Sequence, residues 1–347
     1  MAVRPAGGLL RWTVGFLRSG TARRHADGLR AVLDLGARSV EQFDGLRASG
    51  VEFEMHRRGL LVAARTGHGM EEALALVTAA RSAGYTGEVE ELGPDGARQR
   101  EPALGGVSGA IHARDDAHVR PETVLSGLRA ALRAEGAVLR DRVDVRGVER
   151  DGSGWSVITS AGAVICDRVV IAAGVRSAAL LRQLDVRVPL LGGKGYSVTA
   201  RGTGTAPVHA VKLLEANLAC TPFADGVRLS GMFELGGRGA GVRRRAVRRI
   251  VHGAARYLRD WRPTEPALRI AGLRPATPDS LPVIGAVPGS DGVFAATGHG
   301  TLGLTLAPAT AAVLAPLVVH GRSAPELAPF AVGRFGRTRP ARVVQSV

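Results

Sequence analysis

Apolar residues recur at three- and four-residue steps through 28–49, at Leu29, Val32, Leu33, Val40, Phe43 and Leu46, a spacing that predicts amphipathic helix. Residues 51–64 alternate and then run apolar, as a strand or hairpin does. A second helical pattern covers 70–84 and stops at Gly84, and 89–104 reads as a strand, a turn and a short helix. Pro121 and Gly136 bracket a further helix within 120–137. A strand over 137–150, a turn at Asp151-Gly152, a strand from Trp155 and the apolar run 164–174 follow, which suits part of a nucleotide-binding α/β domain. Between 188 and 235, short alternating strands separated by Gly, Pro and Asp predict an antiparallel sheet. A basic helix over 238–261 leads back to α/β character over 270–335, and the polar tail 336–347 is expected to be disordered.

Composition narrows the picture only a little. A chain of 347 residues can hold two domains with a well-buried core. The net charge of +15 invites nucleic acid as a partner, but only Lys194 and Lys212 among the 46 basic residues are lysine. Arginine is the default surface base here. The densest cluster, Arg243, Arg244, Arg245, Arg248 and Arg249, shares its helix with Val247, Ile250, Val251, Ala254 and Leu258 at helical spacing, so the arginines form a solvated face. Nucleic acid is therefore not expected, whereas attraction to an anionic membrane surface stays open. No uninterrupted apolar run reaches the length of a bilayer span. Arginines break up the apolar stretch of residues 1–20, and the expectation is a cytoplasmic protein, peripheral to a membrane at most. Cys166 and Cys220 lie in apolar strand-like stretches without metal-ligand or disulfide spacing, and His112 and His118 show no metal pattern either.

Two stretches near the end carry the chemistry. Residues 271–285 read AGLRPATPDSLPVIG and place Arg274 in a loop stiffened by Pro275, Pro278 and Pro282. A guanidinium there is a rigid two-pronged donor suited to a small carboxylate. Residues 293–303 read VFAATGHGTLG, a short strand opening through glycines into a helix. The spacing G-x-G-x-x-G at Gly298, Gly300 and Gly303 matches a dinucleotide fingerprint, yet no clear second strand or ribose-binding acid follows. Its remaining content is a row of backbone N–H groups at a helix start, with glycines that let a planar ring approach.

These stretches resemble the C-terminal signature of FAD-dependent amine oxidoreductases of the D-amino-acid dehydrogenase and glycine oxidase type. The resemblance covers about 28–335 and is most specific from Leu190 onward. It implies an incomplete FAD-binding Rossmann-like domain of the α/β (mixed α+β) class, spanning 1–50, 105–187 and 266–335. An antiparallel-sheet substrate domain, 51–104 and 188–265, is inserted into it. It further implies that Arg274 holds the substrate carboxylate, and that Gly298, His299, Gly300, Thr301, Leu302 and Gly303 face the flavin ring. Val143, Ala173 and Gly174 would lie near the adenosine part, and Lys194 and Tyr196, in a K-G-Y-S strand, near the substrate. The implied activity is oxidation of the C–N bond of a small amino acid, with a quinone or another electron acceptor. A glycine- or sarcosine-oxidase-like enzyme using oxygen, or a non-catalytic remnant or subunit offering only an interaction surface, are the alternatives. Relatives begin with a strand, a G-x-G-x-x-G turn and a helix that hold the FAD pyrophosphate. Those motifs do not occur at the start of this sequence, so the expectation is a truncated chain, or one whose FAD domain is completed by a second chain.

Overall fold

The computed structural model describes residues 6–237, 239 and 241–336. In chain order the helices α1 (Ala6–Ser19), α2 (Ala22–Gly36) and α3 (Ser39–Ala48) come first. They are followed by β1 (Met55–His56), β2 (Leu60–Ala64), α4 (Gly67–Ser82), β3 (Val89–Leu92), α5 (Pro94–Arg100), β4 (Gly109–Ala113), β5 (His118–Val119) and α6 (Pro121–Ala134). Next are β6 (Val145–Asp151), β7 (Gly154–Thr159), β8 (Gly162–Cys166), β9 (Val169–Ile171) and α7 (Ser177–Gln183). The long strands β10 (Leu191–Thr203), β11 (Ala210–Leu213), β12 (Leu218–Phe223) and β13 (Gly226–Leu235) precede α8 (Arg244–Ala255) and β14 (Arg262–Ala276). The chain then forms β15 (Val283–Ala286), β16 (Val293–Thr297) and α9 (Gly303–His320). The expected disordered tail, apart from Gly336, lies outside the described residues.

Contacts divide the chain into two compact units. One comprises Met1–Ser39, Val138–Gly192 and Arg274–Val347; the other comprises Val40–Ala137 and Gly193–Leu273. The boundaries differ from the expected ones mainly at 105–137, which packs in the second unit because β4 pairs with β2 on one side and β3 on the other.

In the second unit an eight-stranded sheet runs in the order β14-β10-β13-β12-β11-β2-β4-β3. The pairs from β10 to β11 and from β2 to β3 are antiparallel as expected, whereas β11 pairs with β2 in parallel. Residues 51–64 do not form a hairpin: β1 pairs with β5, while β2 sits between β11 and β4. Alternation within one segment reports a strand but not its partner. The basic helix α8 turns Ala246, Val247, Ile250 and Ala254 inward. Ala246, Ile250 and Ala254 join Leu61, Leu213, Leu229, Tyr257 and Trp261 in the largest apolar cluster. The arginines of α8 are left on the solvent side, as the spacing predicts.

Glu101 is completely buried beneath this sheet. Its Oε2 accepts from the N–H groups of Val208 (2.9 Å) and His209 (2.8 Å), and its Oε1 accepts from Ala103 N–H (3.1 Å). Burial alone would raise its pKa, but the bonds from His209, Val208 and Ala103 win and hold it below the ordinary value. The carboxylate joins segments a hundred residues apart.

The first unit is built on two three-stranded sheets, β6-β7-β8 and β15-β16-β9. The run 164–174, which reads as one apolar stretch, is broken at Asp167-Arg168, so that β8 finishes the β6–β7 meander while β9 pairs with β16 in parallel. The strand expected over 137–150 begins only at Val145. Val148, Trp155, Ile171, Leu181, Val283, Val293 and Ala295 form a core shared by both sheets. On the other side Ala31 and Leu35 of α2 pack with Ile284, Phe294, Leu306 and Leu314. One correction concerns α9. Although no uninterrupted apolar run reaches bilayer length, this helix has 18 residues and a mean hydropathy of 1.6, long and apolar enough to cross a membrane by those criteria. It buries Leu306, Ala309, Thr310 and Leu314 and packs on α2 and β15.

Candidate functional site

Four of the singled-out segments meet in the first unit. Strand β16 ends at Thr297, and the chain turns through Gly298 and Gly300 before α9 starts at Gly303. Both glycines have positive φ, 77° and 54°. A Cβ on Gly298 would stand 2.9 Å from Thr277 Cγ2, so the turn is pressed against the 271–285 loop. A Cβ on Gly300 would meet nothing within 4 Å, so its backbone borders open space. The N-cap residue of α9, Leu302, supplies no side-chain hydrogen bond, which leaves the first N–H groups of that helix available to an acceptor.

Arg274 comes beside this turn through its backbone. Ala276 and His299 form an antiparallel bridge, and Gly300 N–H donates to Pro275 C=O at 3.0 Å. Arg274 is half-buried, and desolvation lowers its pKa from the usual arginine value. Three contacts hold the loop. The Trp12 indole N–H donates to Ala276 C=O at 3.1 Å, and Thr277 Oγ1 donates to Leu281 C=O at 2.8 Å. The Arg334 guanidinium donates to both oxygens of Asp279, at 2.8 and 3.1 Å, and to Leu281 C=O at 2.8 Å. Arg274 itself lies on β14 and not in the loop its neighbouring prolines suggest; Asp279 is the internal anchor of the loop 277–282 that follows this strand.

His299 is half-buried, and burial pushes its pKa down to about 4, so the ring is neutral at physiological pH. Its Nε2 lies in hydrogen-bond contact with Thr310 Oγ1 of α9, 3.0 Å away, which fixes the ring against the helix. Thr301 and Leu302 are exposed at the helix start. Ala173 and Gly174 follow β9, and Thr297 Oγ1 donates to Gly174 C=O at 3.0 Å, tying the ends of the two parallel strands together. Val143 lies just before β6; its neighbour Asp144 pairs with Arg176 at 3.1 Å, which brings that segment to the turn after Gly174.

Lys194 and Tyr196 belong to the second unit. Both are almost fully buried. Lys194 Nζ donates to Gly241 C=O at 2.8 Å, and Tyr196 Oη donates to Glu234 Oε2 at 3.0 Å. Burial and the neighbouring Glu234 raise the tyrosine pKa. The polar ends of both side chains thus have partners within the protein.

Sequence reasoning overlooked Trp12, Thr297, Thr310 and Arg334. Trp12 offered a signal, as one of only three tryptophans. Arg334 offered none, being one arginine among many.

A family model described as FAD dependent oxidoreductase matches residues 4–317. The chain belongs to that family. It is 31% identical over 344 residues to the D-amino acid dehydrogenase of Sinorhizobium medicae, an alignment covering 94% of this chain and 80% of the relative. It is 32% identical over 367 residues to the D-amino acid dehydrogenase of Phenylobacterium zucineum, covering 99% and 82%. Among solved structures, glycine oxidase from Geobacillus kaustophilus superposes with a TM-score of 0.77 at 27% identity, covering 88% of this chain and 82% of that one. The L-proline dehydrogenase from P.horikoshii, at 19% identity and the same TM-score, shares the fold.

This FAD-dependent oxidoreductase has residues that fit the redox end of its cofactor. The open backbone at Gly300 admits a planar ring, the uncapped start of α9 faces acceptors with partial positive charge, and a neutral His299 adds no charge of its own.

Proposed function

We propose that the chain oxidises the C–N bond of a small D-amino acid to an imino acid, which water converts to a 2-oxo acid and ammonia. FAD, when bound, supplies the two-electron acceptor. Arg274 holds the substrate carboxylate through paired N–H donors and so fixes the α-carbon in place. The 298–303 turn and the start of α9 hold the ring, their N–H groups stabilising negative charge that grows on its oxygens. Val143, Ala173 and Gly174 serve the adenosine end. The Arg334–Asp279 pair and Trp12 keep the end of β14, which carries Arg274, and the loop after it at their station without touching substrate.

The observation that carries this reading is the Ala276–His299 bridge, which sets a half-buried arginine a few residues from an open glycine turn in a chain of the FAD dependent oxidoreductase family. The test is Arg274→Ala and Arg274→Lys, assayed with D-amino acids. With flavin content unchanged, Arg274→Ala is expected to lower kcat/KM by roughly 100-fold or more, from the loss of charge-assisted hydrogen bonds. Lysine is expected to restore only part of this, since it keeps the charge but not the fork. Unchanged kcat/KM in Arg274→Ala would refute the assignment.

The likeness to a glycine oxidase favours a second reading, in which oxygen is the electron acceptor. Oxygen uptake measured against reduction of a quinone or dye separates the two.

A further inference from the structure

One stripe of α1 walls a cavity. Arg11, Val14, Gly15 and Arg18 recur at three- and four-residue steps and so share one face of that helix. All four line a cavity of about 960 Å³, at the upper end of the volumes that hold small organic ligands. Gly15 brings the helix close to its neighbour, since a Cβ there would stand 3.0 Å from Pro278. Arg24, Asp27 and Gly28, at the same spacing on α2, form a second wall, and Arg187, from the segment before β10, a third. The cavity lies wholly within the first unit. Neither Arg274 nor any residue of the 298–303 turn lines it, so it is not the candidate site described above.

The lining is basic and apolar at once. Five arginines and two aspartates reach the cavity. Arg334 and Asp279 bind each other, at 2.8 and 3.1 Å, so those two charges cancel. Arg11, Arg18, Arg24 and Arg187 are left facing one acid, Asp27, which is exposed and lies 4.0 Å from Arg23. Arg24 is held by donating to Arg18 C=O at 2.7 Å, while Arg11, Arg18 and Arg187 have no carboxylate partner among the described residues. A concave surface lined by one sign of charge concentrates its field on an incoming ion of the other sign. Leu10, Val14 and Leu281 supply the apolar part, and Leu10 and Val14 are 65% and 41% exposed, so a ligand has apolar surface to cover. A wholly apolar ligand would leave the guanidiniums unused, and a small hydrophilic anion would leave these side chains wet.

We propose that this cavity binds a small amphipathic organic anion, its carboxylate among the guanidiniums of Arg11, Arg18, Arg24 and Arg187 and its apolar body against Leu10, Val14 and Leu281. The site is separate from the oxidation assigned above and stands whether or not that assignment holds.

The test is isothermal titration calorimetry of the full chain, with and without saturating FAD, using decanoate as the probe. Acetate supplies the anionic head alone, and decyltrimethylammonium the same chain with the opposite charge. Decanoate is expected to bind saturably, one molecule per chain, and neither control to bind. Arg11→Gln and Arg187→Gln, on different segments, should each weaken decanoate by roughly tenfold through loss of a charge-assisted hydrogen bond. Leu10→Asp should weaken it by more than about tenfold, since it removes apolar contact and adds a like charge. Arg249→Gln, on the solvent face of α8, makes the same change of charge elsewhere and should leave binding as it is. These side chains are exposed, so circular dichroism should be unchanged in every variant. Decanoate affinity equal to wild type in Arg11→Gln and Arg187→Gln, or equal binding of decyltrimethylammonium, would overturn the proposal. So would decanoate binding that FAD abolishes, since the cavity would then belong to the cofactor. A chain that oxidises no D-amino acid yet binds decanoate in this pattern would refute the assigned activity and leave the cavity site intact.

Discussion

Gly298 and Gly300, two residues apart, should respond to alanine in opposite ways, and the difference locates the cofactor. Each has positive φ, so alanine costs about 1–2 kcal/mol at either position through its Cβ. At Gly298 the new Cβ would also press on Thr277 Cγ2 at 2.9 Å, with Val283 atoms at 3.4 Å, bringing the total to about 3 kcal/mol. At Gly300 no protein atom lies within 4 Å, so the backbone cost is the whole cost to the free protein. If the flavin ring rests against that open backbone, the methyl takes its place. A clash of about 1.4 kcal/mol or more then weakens FAD by at least tenfold. The assay pairs thermal unfolding without added FAD with a fluorescence titration of FAD. Gly300→Ala should be mildly destabilised and markedly poor in flavin, whereas Gly298→Ala should be the less stable protein. FAD affinity in Gly300→Ala equal to wild type would refute the placement of the ring.

Two further outcomes follow from contacts within the first unit. The Arg334–Asp279 pair is only 16% and 20% exposed and is reinforced by Leu281 C=O, so Arg334→Ala should cost about 3 kcal/mol. Adding Asp279→Ala should then cost little more; additive losses in chemical denaturation would show that the pair is uncoupled. His299 titrates near 4 when folded and near 6.5 when unfolded, so the unfolded chain binds the extra proton between those values. Stability from this ring is full above pH 6.5 and is lost as pH falls toward 4, by up to about 3 kcal/mol. Denaturation across that range should show a slope in wild type that His299→Gln lacks, and equal slopes would rule this out.

The residue pattern alone foretold much of the local structure. Helical spacing marked the inner face of α8, proline and glycine bounded α6, and the strand–glycine–helix order of 293–320 appeared as read. These features are local: periods of two and 3.6 residues, and residues with restricted or permissive backbones, act within a few positions of themselves. Arg274 was singled out for the same reason, because proline spacing around a lone arginine is visible in the chain.

Partners distant in sequence were decided only by the tertiary structure. That β11 lies parallel to β2, that 164–174 feeds two different sheets, and that Arg334 grips Asp279 depend on backbone and side-chain groups far apart in the chain. Lys194 shows the limit most clearly. Its rarity suggested a functional role; burial leaves its ammonium in need of an acceptor, and Gly241 C=O, between β13 and α8, supplies one. A sequence shows which groups can bond or ionise; which of them lose water, and to whom they then turn, is settled by the packing of the folded chain.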